Sequence, residues 1–428
     1  WIVKFWKGSR FVKEESGKEM GGVSGFVGPA GFQVSVRRDG TCARSRGGLG
    51  RLSAAVAGTG EVDNPYKITV LKGDGRGPEM AEIAVSVVEA LQDYTDLHFK
   101  IDWAEFGEDS LKENGSLVPE ETVEKCKQAD SVLKSYQGTA KDAPVDENAH
   151  LVLRSKLDVY AQLLPTRVYP PLSSMSVFKE DKVNGVDLLL VREVSGGVLR
   201  KRETGVLPVE DVDEADSLMR YEKQQVERFA NLVLDLAQRR SGRVLNVDRA
   251  DQLKVSRFWR SNMHSVMENT LKDRADITVE DMFVDDFCRA LVINPKKFDV
   301  VCTSNLFGDV IAELLASLHG PARINPTSWI CDSGLSIHGP ADLYNASAYV
   351  ESADQDYSRG PISIIRAVSM MLRYGLDEPA AADLLQKALM KTFDDCVTER
   401  IASYIPEEDL NGREIVSAGT FRDYLVSN

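Results

Sequence analysis

A strand that runs through a short turn directly into a helix limits what can follow it. The next strand must return parallel across a covering helix, because no hairpin is available. The stretch "YKITVLKGDGRGPEMAEIAVSVVEAL" (66–91) has this form. "YKITVL" is a six-residue apolar strand, "KGDGRGPE" a glycine-rich turn, and the rest repeats apolar residues at helical spacing, with Pro78 suited to the first turn. The same alternation recurs along the chain. "PEETVEKCKQA" reads as a helix and "DSVL" as a strand, and "VDLLLVR" (186–192) is a buried strand running into the loop "EVSGG". Residues 213–240 form a long amphipathic helix, followed by the strand "RVLNV" and the helix "QLKVSRFWRSNMHSVM". "FDVVCT" (298–303) is a strand, and "PISIIRAVSMMLRYGL" and "EPAAADLLQKALMKTF" are helices. The pattern predicts an α/β fold with parallel sheets covered by helices.

Gly73, Gly75 and Gly77 lie between the first strand and its helix, a place where phosphate can bind. Their spacing departs from the dinucleotide fingerprint G-x-G-x-x-G, so the residues alone read as a tight turn.

The charge balance narrows the partners. The 428 residues carry a net charge of −14, yet residues 1–60 hold ten Lys or Arg against four Asp or Glu. The body is therefore strongly acidic and would repel phosphate backbones, which argues against nucleic acid as a partner. No apolar run reaches the roughly 18 residues of a membrane span. The six cysteines, Cys42, Cys126, Cys288, Cys302, Cys331 and Cys396, are scattered, with no C-x-x-C pair to suggest zinc. They point to a reducing compartment.

Residues 21–60 are rich in Gly, Ser, Ala and Arg and contain one acid, Asp39. This composition matches an organellar transit peptide, with a plastid preferred and the mitochondrion as the alternative; a tail without an address is the simpler reading. Residues 1–65 are accordingly set outside the expected fold.

The stretch "NLFGDVIAELLASL" (305–318) carries Asp309 and Glu313 one helical turn apart in an apolar run. The helix is apolar nearly all round, which predicts burial. Buried carboxylates require a cation, an arginine or a shared proton. A third acid, Asp285, follows the apolar step of "DMFVDDFCRALV". Three carboxylates suit a hard cation such as Mg²⁺ or Mn²⁺; alternatively the acids pair with arginines or face solvent.

Six collinear segments resemble the β-decarboxylating dehydrogenases, the isocitrate/isopropylmalate dehydrogenase family, and within it the plant-type 3-isopropylmalate dehydrogenases. They are "ITVLKGDGRGPE", "VLRSKLDVYAQLLPTRVYPPLS", "DLLLVREVSGG", "VDRADQLKVSRFWR", "FVDDFCRALVINPKKFDVVCTSNLFGDV" and "IHGPAD". The resemblance implies two α/β domains around a cleft. One is built from 66–159 and 320–428 on the cofactor side. The other, 160–319, carries substrate, metal and the dimer contact. It implies NAD-dependent oxidation and decarboxylation of a small 2-hydroxy acid in leucine biosynthesis, by a homodimer or a heterodimer with a related chain. By the same resemblance Asp285, Asp309 and Glu313 hold Mg²⁺ or Mn²⁺, and Arg154 and Arg192 hold substrate carboxylates. Glu147, His338, Gly339 and Asp342 face NAD.

The sequence also departs from the family pattern. Leu164 stands at a third arginine position. Leu199 replaces the proton-donating Tyr, and Arg249 replaces the general-base Lys. Lys134 and Tyr136 stand where small residues line the cleft, and the loop 343–360 is lengthened. These departures admit a second expectation: a catalytically inactive relative serving as a regulatory or structural subunit.

Overall fold

In the computed structural model of the chain, the described residues are 56–75, 77–136, 148–199, 218–272, 276–319, 324–341, 361–396, Asp423 and Val426. The strand–turn–helix unit at the start folds as its sequence dictates. β1 (Tyr66–Leu71) leads into α1 (Gly77–Tyr94), which buries Met80, Ala84, Val87, Val88 and Leu91 along one face. The glycine turn closes on the backbone of Tyr136. Asp74 N donates to Tyr136 O at 2.9 Å. Gly73 has φ +73° and leaves no space for a side chain, since a Cβ there would lie 1.9 Å from that same oxygen.

The alternation continues with β2 (Phe99–Ala104), α2 (Glu108–Asn114), α3 (Glu120–Gln128), β3 (Ser131–Lys134), α4 (Ala149–Lys156) and β4 (Val159–Arg167). Then come α5 (Glu180–Val183), β5 (Asp187–Glu193), α6 (Lys223–Gln238), β6 (Arg243–Asp248) and α7 (Lys254–Leu271). The chain proceeds through β7 (Thr278–Phe283), α8 (Val284–Ile293), β8 (Val300–Thr303), α9 (Asn305–Ala316), β9 (Pro326–Cys331) and β10 (Ser336–Pro340). α10 (Pro361–Met370) passes through a π-helical turn (Met371–Gly375) before α11 (Pro379–Cys396).

One ten-stranded sheet results, in the order β2-β1-β3-β10-β9-β4-β5-β8-β6-β7. It is mostly parallel, with β9 antiparallel to β10 and β4, and β4 antiparallel to β5. One half of the sheet comes from strands near both ends of the body and the other from its middle; β4 and β9 join them, and the described residues belong to a single compact unit. β5 lies centrally and is covered on both faces, so Leu188, Leu189, Leu190 and Val191 are fully buried. Each contributes about 1.5–3 kcal/mol of burial.

Three expectations change. α6 begins at Lys223, behind a capping box formed by Glu222 and Gln225, so residues 218–222 are not helical and 213–217 lie outside the described residues. The end of the leader-like segment joins the fold: the Asp130 carboxylate accepts from Ala57 N (2.6 Å), Gly58 N (3.0 Å) and Lys67 N (2.8 Å). Residues 1–55 lie outside the described residues. α9 is amphipathic rather than apolar all round; it buries Asn305, Gly308, Ile311 and Leu315, and the 3.6-residue period carries Asp309, Val310 and Glu313 to the open side. Among the described residues no helix is long and apolar enough to cross a membrane.

Candidate functional site

Four adjacent parallel strands, β5, β8, β6 and β7, end along one edge of the sheet. Ligands of open α/β sheets bind beyond such carboxyl ends. Arg192 and Glu193 close β5, and Asn305 and Asp309 follow β8 at the start of α9. Arg249 follows β6, and Asp285 follows β7 in the first turn of α8. The fold thus gathers most of the expected substrate and metal residues on one edge.

Asn305 organises the first pair of strands. Its Oδ1 accepts from Arg192 Nε at 3.1 Å and Nη2 at 2.8 Å, while its Nδ2 donates to Gly196 O at 2.8 Å and Val194 O at 3.3 Å. Its backbone N–H donates to Tyr221 Oη at 2.8 Å. The loop "EVSGG" is further held by Glu193, whose carboxylate accepts from Ser195 N and Gly196 N at 2.9 Å each. Burial raises the Glu193 pKa, and these donors oppose the shift. Sequence reasoning missed Asn305. The available signal was its position, an amide two residues after the strand "FDVVCT" and at the first turn of a helix.

Arg192, with two of its nitrogens on Asn305, turns Nη1 to Asp309 Oδ1 at 2.5 Å. Its stem crosses Gly308, where a Cβ would come within 2.7 Å of Arg192 Cγ. On the other pair of strands, Asp248 is buried and accepts from Arg260 at 2.8 and 2.6 Å and from Ala250 N at 2.9 Å, which fixes the turn before α7. From this turn Arg249 reaches Asp285 Oδ1 at 2.5 Å with Nη1 and Asp251 at 3.5 Å with Nε. The hydrogen bond from Arg249 is the main reason the Asp285 pKa falls below its ordinary value, and it raises that of Arg249 in turn.

The three expected metal acids are therefore not assembled as a cradle. Asp285 pairs with Arg249, Asp309 pairs with Arg192, and Glu313 stands exposed one turn further along α9. Among the described residues no three His, Cys, Asp or Glu side chains are grouped to hold a metal ion. Each of the two pairs sets an arginine against one of these acids, Arg192 against Asp309 and Arg249 against Asp285. Leu199 is about half exposed and offers no proton. Leu164 is buried in the apolar cluster with Val168, Leu188 and Leu190, a structural role in place of an arginine.

The carboxyl ends of β3 and β10 form the expected cofactor side. Arg154 on α4 lays its guanidinium over the Trp329 ring at 4.3 Å, and Lys134 Nζ lies 4.6 Å from the same ring centre. This shared aromatic platform also escaped sequence reasoning; a Trp inside the strand "PTSWIC" was its only trace. Lys134 is buried, donates to Pro340 O at 3.2 Å and fills the side of Gly339, where a Cβ would meet its Cγ at 2.3 Å. Tyr136 is buried, with its hydroxyl 2.5 Å from Ser363 Oγ.

His338 does not present its ring to a ligand. It is fully buried, with Nδ1 2.5 Å from Ser328 Oγ and Nε2 2.8 Å from Ser336 Oγ, and burial pushes its pKa down to about 3. The expectation that it faces a nucleotide is corrected by the strand it occupies: β10 is buried on both faces, under α10 and the π-helical turn. Lys134 packs against Gly339, and the His338 ring is turned inward toward Ser328 and Ser336. Glu147, Asp342 and the loop 343–360 lie outside the described residues.

The chain resembles known proteins over most of its length. The profile of the family described as isocitrate/isopropylmalate dehydrogenase matches residues 67–418. A 3-isopropylmalate dehydrogenase of Arthrospira platensis is 33% identical over 335 residues, spanning 77% of this chain and 92% of the relative. One from Methylococcus capsulatus is 33% identical over 337 residues, spanning 77% and 90%. The crystal structure of an isocitrate dehydrogenase from Methylococcus capsulatus superposes with TM-score 0.69 at 23% identity, covering 85% of this chain and 98% of that one, a likeness of fold. The apo form of a β-decarboxylating dehydrogenase from Thermococcus kodakarensis gives TM-score 0.64 at 25% identity, covering 85% and 95%. The fold, the strand-end site and these matches agree that the chain belongs to the isocitrate/isopropylmalate dehydrogenase family.

Proposed function

We propose that the chain is a member of this family that keeps its fold and its carboxylate-facing arginines but does not complete oxidative decarboxylation of a 2-hydroxy acid. In this reading it acts as a regulatory or structural subunit, as a homodimer or paired with a related catalytic chain, in a plastid or, alternatively, a mitochondrion. The observation that carries the reading is the Arg249–Asp285 ion pair at the general-base position. A guanidinium has a pKa above about 12 and cannot accept a proton at neutral pH; pairing with a carboxylate removes it further from that role. Leu199 supplies no acid in the opposite half-reaction. Each such group is typically worth about 10²–10⁴-fold in rate.

The competing reading is a working NAD-dependent 3-isopropylmalate dehydrogenase. It is favoured by relatives of that name at 33% identity and by the retained Arg154 and Arg192. Purified chain assayed with 3-isopropylmalate, NAD and Mg²⁺, beside the Arg249→Lys, Leu199→Tyr double variant, separates the two. The subunit reading expects no NADH from the unaltered chain. Clear production by it would establish the enzyme.

A further inference from the structure

A continuous polar network joins the surface of α7 to the turn that carries Arg249. His264 on α7 keeps 40% of its side chain in solvent and sets Nε2 2.8 Å from Asp281 Oδ2 on β7. Asp281 Oδ1 accepts from Asn246 Nδ2 at 2.7 Å, and the same amide group donates to Asp248 Oδ2 at 3.0 Å. Asn246 Oδ1 accepts from the Trp259 indole at 2.9 Å. Arg260 grips Asp248 through Nε at 2.8 Å and Nη2 at 2.6 Å, and its Nε lies 3.8 Å from Asp281 Oδ1. Asp248 Oδ1 in turn holds Ala250 N at 2.9 Å, in the turn from which Arg249 reaches Asp285. Asn246, Asp248 and Trp259 are buried, whereas His264 meets water.

The charges of this network do not balance while His264 is neutral. Asp248 and Asp281 are two carboxylates, and among the described residues Arg260 is the one permanent cation paired with them. Asp251, in the same turn, also acts on Arg260, and Glu268 lies one turn beyond His264 on α7. From β8 comes the buried Cys302 thiol, which burial and the two acids keep protonated. α6 meets α7 through an apolar contact, Phe229 on Trp259 with ring centroids 5.3 Å apart. Histidine is the side chain whose charge ordinarily changes between about pH 5 and 8. A proton on His264 places a second cation at Asp281, in a partly buried setting where attraction is stronger than in water. Asp281 then competes less for Arg260, which stays with Asp248. We propose that His264 is a proton-operated latch: its protonation at Asp281 is passed through Asn246 and Arg260 to Asp248 and tightens the turn that sets Arg249 on Asp285. The latch stands apart from turnover, because it concerns how firmly Arg249 is held and not whether a reaction is completed.

The test is an NMR titration of the full chain between about pH 5.5 and 8, isotope-labelled at tryptophan indole, arginine side-chain and histidine ring positions. The Trp259 and Arg249 signals, assigned through Trp259→Phe and Arg249→Lys, are expected to shift together and to follow the His264 ring. His264→Gln, which can donate a hydrogen bond but cannot gain a proton, is expected to flatten both curves. Asp281→Asn is expected to leave the His264 transition in place while uncoupling Trp259 and Arg249 from it. Circular dichroism checks that each variant folds, and His264→Ala serves as a second probe of the same loss. An Arg249 transition that persists in both His264 variants overturns the inference. So does an Arg249 signal that fails to move with His264 in the natural chain. An undiminished Arg249 response in Asp281→Asn also overturns it, because the route would then lie outside this network. NADH production is read separately and bears on the subunit reading alone.

Discussion

Arg249 Nη1 lies 2.5 Å from Asp285 Oδ1, across the gap between the ends of β6 and β7. The bond holds the Asp285 carboxyl below its ordinary pKa. In Arg249→Gln the Asp285 pKa is expected to rise toward the ordinary value of about 3.9, as read by carbon-detected NMR titration. A folded pKa below the unfolded one contributes stability that is present above the unfolded value and lost as pH falls through the folded one. The natural chain and the variant are therefore expected to differ at neutral pH and converge in acid. An unchanged Asp285 titration would show that the pair does not persist in solution.

Gly339 and Lys134 are coupled by contact, with a Cβ at Gly339 placed 2.3 Å from Lys134 Cγ. Gly339→Ala is expected to destabilise the chain by about 1–3 kcal/mol through overpacking. In a Lys134→Ala background the penalty is expected to shrink, giving a non-zero coupling in a double-mutant cycle measured by urea unfolding. Additive effects would mean that Lys134 does not fill this space. Lys134→Ala is also expected to bind NAD more tightly than the natural chain, measured by calorimetry.

His338 is buried between Ser328 and Ser336, and its pKa falls from an ordinary 6.5 to about 3; His319, also buried, falls to about 4. In the unfolded chain both bind a proton near pH 6.5, and in the folded chain they do not. Stability is therefore complete above about pH 6.5 and is lost as pH falls toward the folded values. His338→Gln is expected to lower stability at pH 7 and to flatten the loss between about pH 6.5 and 4. The check is the urea midpoint against pH for the two proteins.

Asp130 ties Ala57, Gly58 and Lys67 to the start of β3 through three backbone donors. Asp130→Ala leaves those donors without their acceptor and is expected to cost about 1–3 kcal/mol. Faster amide exchange at Gly58 and Lys67, with little change in β5, is the expected signature. Uniform exchange across the sheet would place the effect elsewhere.

The sequence makes the strands and helices of the body legible because short apolar runs punctuated by glycine, and helices with one apolar face, carry their own period. "VDLLLVR" reads as a covered central strand and is one. Residues whose role depends on distant neighbours are less legible. α9 reads as buried all round because Val310 is as apolar as Ile311, and only the packed fold puts one outside and the other inside. His338 resembles a ligand residue in "IHGPAD", but strand pairing on both sides of β10 and the helix above it turn the ring inward. The substitutions Leu199 and Arg249 are plain in the sequence. That Arg249 lands on Asp285, which follows a different strand, follows from the β6–β7 register.

On the proposed function, Arg249 and Leu199 leave the chain without the proton transfers of its family. Steady-state NADH production, with 3-isopropylmalate, NAD and Mg²⁺ all saturating, tests it most directly when run beside a catalytically competent relative. With both groups replaced, the rate is expected to fall at least about 10⁴-fold below the relative's. A rate within about tenfold of the relative's, from the unaltered chain, would contradict it.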